Sequence, residues 1–156
     1  MKRFFSLALI CVMLLCAVLP AQAESPAWQA GDTNNGFTVT DVRAFDLIGA
    51  DAITLRHDKT GALVMLLLNE DTNRVFNVTF RTVAEDNTGT PHVFEHATLS
   101  GSEKYPSKKL FFNLSYQTYN TYMNAGTYPM MTSYPVGSLS EDQLLKYADF
   151  YLDSCF

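Results

Sequence analysis

The sequence predicts an α+β fold, in which a mixed or antiparallel sheet has helices packed on one face. Three observations lead to this prediction: four strand-like runs precede residue 90, helix signals cluster after it, and turn signals separate the runs. The predicted order is four strands, two helices, two strands and one helix. With 156 residues, of which 47% are hydrophobic, the chain is long enough to bury a core of its own.

Residues 1–23 have the pattern of a secretory signal peptide. Lys2 and Arg3 precede an apolar run, and the sequence Ala-Gln-Ala ending at Ala23 supplies a small-x-small cleavage site. An uncleaved membrane anchor is the alternative, but the run is short for spanning a bilayer. We therefore expect a secreted or periplasmic protein that is cut after Ala23 and has no stable membrane association afterwards.

Cleavage would also change the cysteine content and the charge of the mature chain. Cys11 and Cys16 lie within the signal, which leaves Cys155 alone and allows no disulfide framework. Loss of the two basic residues Lys2 and Arg3 takes the formal net charge from −5 to −7. An acidic protein is a poor partner for a polyanion, so we expect no nucleic-acid binding.

The mature chain opens with a polar segment and continues with strand-like runs. Residues 24–35 are rich in turn-forming residues and predict a flexible lead-in to a domain at 36–156. Residues 37–47 and 51–58 are strand-like. The continuous apolar run 62–68 has the length of a strand, and it predicts a strand that is buried on both faces.

The fourth strand-like run, residues 74–82, alternates apolar with polar side chains. Phe76, Val78 and Phe80 fall on one face, as expected for a strand with one side against a core. We expect these first four runs to form a sheet.

Helix signals begin after a loop that ends near residue 89. Thr90 is a plausible N-cap and Pro91 suits the first helical position, which predicts a helix from Pro91 to about Leu99, terminated by Ser100 and Gly101. A second helix is predicted over 106–119.

The last part of the chain is predicted to contain a hairpin and a helix. Aromatic residues, threonine and proline concentrate in residues 121–136 and favour two short strands or a hairpin. Ser140 and Gln143 form the ends of a capping-box-like sequence, which predicts a helix from there to the end of the chain.

The sequence His92-Val-Phe-Glu95-His96 lies on the first predicted helix. Residues four apart share a helix face, so the two histidines can offer ring nitrogens to one metal ion. Glu95 lies beside them and is placed to take a proton from a metal-bound water. The spacing is the reverse of His-Glu-x-x-His and is typical of zinc-dependent catalysis. Taken alone, the motif leaves open two surface histidines with an incidental glutamate.

The stretch from Gly89 to Pro106, GTPHVFEHATLSGSEKYP, resembles the signature of the pitrilysin/insulinase family of zinc metallopeptidases. It is most similar to the branch that contains the presequence proteases. The similarity extends over about residues 36–156 and includes the sequences HDKTGA and YMNAGTYPMMTSYP.

This resemblance implies roles for five residues and a cofactor, Zn²⁺. His92 and His96 would be zinc ligands, and Glu95 would be the general base. Asn124 and Ala125 would hold a peptide substrate by backbone pairing at the edge of a sheet.

The resemblance also implies that the chain is an N-terminal fragment. The family's third zinc ligand is a glutamate on a later helix, beyond the 60 residues that follow His96, and neither Glu103 nor Glu141 matches it. The partners implied are a peptide substrate and the remaining domains of the same parent chain. Alone, the fragment is expected to bind zinc weakly and to cleave little.

The function we expect is that of a zinc-dependent metalloendopeptidase that hydrolyses peptides. A non-catalytic homologue that acts as a structural or peptide-binding partner subunit is the alternative, but such a subunit has no need of all three motif residues. A short zinc-binding or peptide-binding module that ends at Phe156 is a second alternative.

Overall fold

The computed structural model describes residues 28–156, so the predicted signal peptide, residues 1–23, lies outside the described residues. These residues fall into two compact units, 28–69 and 70–156, each built on a four-stranded sheet. All strand pairings described are antiparallel, and the α-helices belong to the second unit. The predicted α+β class is confirmed.

The first unit is a sheet with the strand order β1-β2-β3-β4. Its strands are β1 (Thr33–Asn34), β2 (Phe37–Phe45), β3 (Ala50–His57) and β4 (Leu63–Leu68). A short 3₁₀ turn ending at Gly49, which has a φ of 58°, connects β2 to β3. The pairing of β1 with β2 brings part of the predicted lead-in, residues 24–35, into the sheet.

Strand β4 forms where the apolar run predicts it, but its side chains are not buried on both faces. Leu63, Met65 and Leu67 are 66%, 64% and 54% exposed. Among the described residues β4 pairs with β3 alone, and only Val64 of this strand packs against the small core around Val39. The prediction is wrong because an apolar run shows only that the side chains of a strand are suited to burial. It does not show whether other elements of the unit cover them.

The second unit has the strand order β5-β8-β6, with β7 also paired to β8. Its strands are β5 (Arg74–Arg81), β6 (Tyr122–Met123), β7 (Gly126–Thr127) and β8 (Met131–Ser138). The expectation that the first four strand-like runs share one sheet is wrong, since β5 pairs with β8 and places Arg74 opposite Ser138. The alternation of apolar and polar side chains shows that β5 has one buried face, but it does not determine which strand pairs with β5.

Three α-helices complete the second unit. They are α1 (Thr90–Thr98), α2 (Leu110–Gln117) and α3 (Glu141–Cys155). Ser140 caps α3 as predicted, because its hydroxyl accepts a hydrogen bond from the Gln143 N–H. Helix α2 is shorter than the predicted 106–119. No helix among residues 28–156 is long and apolar enough to cross a bilayer.

The start of α1 differs from the prediction by one residue. Thr90 is the first helical residue, and Gly89, with a φ of 72°, occupies the capping position. The Thr90 hydroxyl is hydrogen-bonded to Thr88 at 2.7 Å instead of capping the helix. A positive φ of this size suits glycine, which explains why the boundary falls there.

One hydrophobic core joins the three helices to a single face of the second sheet. Phe76, Val78 and Phe80 of β5 pack against this core, which confirms the predicted buried face. Helix α3 lies across β5 and β8 and contributes its largest buried side chains. The members from β8 and the helices include Tyr134, Val136, Leu99, Leu114, Tyr147, Phe150 and Tyr151.

The chemistry of Cys155 gives a test of this packing. Burial raises the pKa of its thiol from 9.0 to about 11. Because the thiolate is the species that reacts, we expect alkylation of folded Cys155 by iodoacetamide to reach half its maximal rate near pH 11. In urea, alkylation of Cys155 should reach half its maximal rate about two pH units lower. The extent of alkylation is quantified by mass spectrometry of the peptide that contains Cys155. Coincident profiles would contradict the packing of α3.

Candidate metal centre

Helix α1 brings His92 and His96 together on one exposed face. Their Nε2 atoms are 3.1 Å apart, and the two ring centroids are separated by 4.8 Å. This proximity follows from the four-residue spacing, since such residues lie one above the other along a helix. Both predicted ligands therefore point their distal nitrogens toward the same place.

The separation of these two nitrogens suits a zinc ion. With Zn–N bonds of about 2.0–2.1 Å, two ligands of a tetrahedral ion lie about 3.3 Å apart. The Nε2 atoms are within a few tenths of an ångström of that spacing. A catalytic zinc takes three protein ligands, and residues 28–156 contain no group of three or more histidine, cysteine or acidic side chains able to hold a metal. The described residues thus fit two of the three positions.

Glu95 lies beside the histidines but differs from them in burial. It is the only charged residue among those buried in the described part of the chain, at 6% exposure. Its Oε2 accepts a hydrogen bond of 2.7 Å from the Thr127 hydroxyl on β7. Helix α1 packs against β7 and β8, and this contact brings the two residues together. The carboxylate is thereby held next to the histidine pair and away from bulk water.

All three motif residues line one pocket of about 540 Å³. Its walls come from three parts of the chain. These are α1 and the two residues after it, α2 together with Lys108 just before it, and residues 124–128, which include β7. Among the described residues, Lys108 is the only lysine or arginine in the lining. The other lining residues are Leu99, Ser100, Phe111, Phe112, Asn124, Ala125, Gly126, Thr127 and Tyr128.

Asn124 and Ala125 lie in the pocket wall, between β6 and β7 instead of within a strand. The Asn124 N–H donates to the Pro135 carbonyl, and its Oδ1 accepts from the Ala125 N–H at 2.9 Å. The Asn124 carbonyl accepts a 2.7 Å hydrogen bond from the buried Tyr151 hydroxyl of α3. The segment is therefore fixed to β8 and α3 at a position that borders the motif.

The two other acidic residues considered from the sequence are not in the pocket lining. Glu103 is exposed in the loop after α1. Glu141 begins α3 and lies 3.9 Å from Arg74. Neither residue therefore lies with the motif in this pocket.

Several residues of the pocket have no distinct signal in the sequence. Thr127 and Tyr128 fall within the sequence YMNAGTYPMMTSYP but were given no role of their own, Lys108 lies outside the quoted sequences, and Phe111 and Phe112 look like ordinary apolar positions of a helix. Of these, Thr127 had the best signal, since it follows Ala125 by two residues in the segment already assigned to substrate. Its contact with Glu95 depends on the packing of α1 against β7, which the sequence pattern does not specify.

This chain is similar in sequence to two presequence proteases. Presequence protease 1 of Arabidopsis thaliana is 48% identical over 105 residues, which are 67% of this chain and 10% of that protein. The mitochondrial presequence protease of Mus musculus is 39% identical over 129 residues, or 83% of this chain and 12% of the relative. This chain belongs to the pitrilysin/insulinase family.

The fold agrees with a solved structure of the family. The crystal structure of pitrilysin matches with a TM-score of 0.66 over 78% of this chain and 13% of the pitrilysin chain, at 22% identity. Protein HypA of Clostridium perfringens is 39% identical over 77% of this chain. No protein-family model matches. The chain spans only 10% to 12% of the length of these curated relatives.

Removal of the Tyr151 hydroxyl tests how the pocket wall is anchored. We expect Tyr151→Phe to lower the free energy of unfolding by about 1 kcal/mol, because the Asn124 carbonyl loses its donor. Tyr116→Phe is the control, since Tyr116 is 81% exposed, and it should change stability by less than about 0.5 kcal/mol. Equal urea midpoints for Tyr151→Phe and the unmodified chain would show that this hydrogen bond contributes nothing.

Proposed function

We propose that this chain carries the zinc-binding and proton-transfer part of a zinc-dependent metalloendopeptidase that hydrolyses peptides. The observation that supports this most is a buried carboxylate, Glu95, beside two imidazole nitrogens 3.1 Å apart at one pocket. The family relationship supports the same reaction class, because the relatives named above include presequence proteases.

His92 and His96 would hold the zinc ion through their Nε2 atoms. When bound, the ion would polarise a peptide carbonyl and lower the pKa of a bound water toward neutrality. We propose that the third ligand comes from outside the described residues, which is in keeping with relatives about eight to ten times longer than the matched region. The chain by itself would then bind zinc weakly and show little activity.

Glu95 would serve as the general base. An ionised carboxylate near the attacking water can accept its proton and later deliver it to the leaving amine. One oxygen, Oε2, is hydrogen-bonded to Thr127, which leaves Oε1 for this proton transfer. Asn124 and Ala125 line the same pocket and would contact the substrate backbone, while Phe111 and Phe112 would exclude water from the reacting bond.

We also propose that the protein is exported. Several relatives are named as mitochondrial or chloroplastic, and transit peptides to those organelles are amphipathic and rich in arginine and serine. Residues 1–23 contain one arginine, one serine and a long apolar run, which favours secretion. Sequencing the N-terminus of the mature protein should find Glu24 first. Retention of Met1 would contradict export by a cleaved signal.

The variant Glu95→Gln tests the proposed reaction in the full-length protein. Glutamine keeps an oxygen for Thr127 but cannot accept the proton, so we expect kcat for a peptide to fall by about 10²–10⁴-fold. Zinc content, measured by mass spectrometry of the metal, should stay unchanged, because Glu95 is not proposed as a ligand.

The matched control is Glu103→Gln, which removes an exposed carboxylate outside the pocket and should leave hydrolysis unchanged. Full activity in Glu95→Gln would exclude Glu95 as the base, whereas an unmodified full-length protein that hydrolyses no peptide would favour the non-catalytic alternative. Loss of zinc together with activity would instead make Glu95 a ligand.

A further inference from the structure

Thr127 makes the one hydrogen bond that the described residues offer to the buried Glu95 carboxylate. Its Oγ1 lies 2.7 Å from Glu95 Oε2. An ionised carboxylate only accepts hydrogen bonds, so the hydroxyl proton of Thr127 must point toward Glu95. A bond to a charged acceptor is stronger than one between neutral groups, and here it joins strand β7 to helix α1.

The position of Thr127 is itself fixed by the sheet. Thr127 pairs with Thr132 of β8, and Gly126 pairs with Ser133. Thr132 is 3% exposed, and its hydroxyl is hydrogen-bonded to Thr82 at 2.7 Å. The Thr127 hydroxyl is also 3.5 Å from that of Thr132, a distance too long for a strong bond. Backbone pairing therefore holds Thr127 in place, and its proton is available to Glu95.

The consequence is an orientation of the carboxylate. A glutamate side chain has three rotatable bonds, and fixing it in one geometry costs conformational entropy. The hydrogen bond from Thr127 restrains the carboxylate through Oε2. Because Oε2 takes the hydrogen bond, Oε1 is the oxygen left for a water or substrate in the pocket that Glu95 lines.

We propose that Thr127 is a positioning residue for the reaction, which holds the Glu95 carboxylate by Oε2 so that Oε1 faces the attacking water. This inference rests on the proposed function, since it presupposes that Glu95 is the general base. It assigns to β7 a role in orienting the base in addition to its place in the pocket wall.

The first test is kinetic and uses the full-length protein. Thr127→Val replaces the hydroxyl by a methyl group of similar size, so packing is retained while the donor is lost. We expect kcat to fall about 10–100-fold, the range seen when a partner that orients a catalytic group is removed, with KM changed less than about twofold. Thr127→Ser restores the donor and should recover kcat to within about threefold of the unmodified enzyme.

The matched control is Thr121→Val. Thr121 also donates a 2.7 Å hydrogen bond to a side-chain oxygen, that of Asn73, but it does not line the pocket. The variant Thr121→Val should therefore leave kcat unchanged. An equal loss in Thr121→Val and Thr127→Val would overturn the proposal, because the effect would then be a general weakening of the sheet.

The second test needs neither metal nor activity. In the metal-free full-length protein, Thr127→Val should lower the urea midpoint of unfolding, and the same change made in a Glu95→Ala background should not lower it further. Equal shifts in the two backgrounds would overturn the proposal, since Thr127 would then stabilise the fold without acting on Glu95.

The outcomes separate this inference from the proposed function. If Glu95→Gln inactivates the protein while Thr127→Val is as fast as the unmodified enzyme, the assignment of Thr127 is wrong and the proposed function stands. If Glu95→Gln retains full activity, the proposed function itself fails, and the positioning role fails with it.

Discussion

The contact between α1 and β7 is the constraint on which the site depends. Leu99, at the end of α1, is buried in the core of the second unit, and the Glu95 carboxylate accepts a hydrogen bond from Thr127 of β7. Together they fix the rotation of the helix about its axis. Because Glu95 faces inward, the helical repeat leaves His92 and His96 on the adjoining face, with their distal nitrogens together. Residues 92–99 thus combine a buried side, formed by Glu95 and Leu99, with an exposed pair of histidines.

Local signals in the sequence were sufficient for much of the second unit. The alternation of Phe76, Val78 and Phe80 identified the buried face of β5, and Ser140 marked the start of α3. Both features depend on residues close together in the chain, so periodicity and capping chemistry describe them well. The proximity of His92 to His96 is of the same kind, since it needs only one turn of helix.

The features that the sequence did not predict are those set by distant contacts. The pairing of β5 with β8 and the hydrogen bond from Thr127 to Glu95 join segments that are far apart in the chain. Leu63 on β4 is exposed because no distant segment among the described residues covers it. Hydrophobic patterns record that a side chain is able to be buried, but many partners satisfy the same pattern. Without an assembled fold, the pocket residues other than the motif, Asn124 and Ala125 look like ordinary core or loop positions.

The central claim is that His92 and His96 together hold a zinc ion, and X-ray absorption at the zinc edge tests it most directly. In the zinc-loaded full-length protein, the account predicts two imidazole nitrogens at about 2.0–2.1 Å from the metal. The variant His92→Ala should show one imidazole or lose the metal. A spectrum with an unchanged number of imidazole ligands in His92→Ala would contradict the claim, because the zinc would then be bound elsewhere.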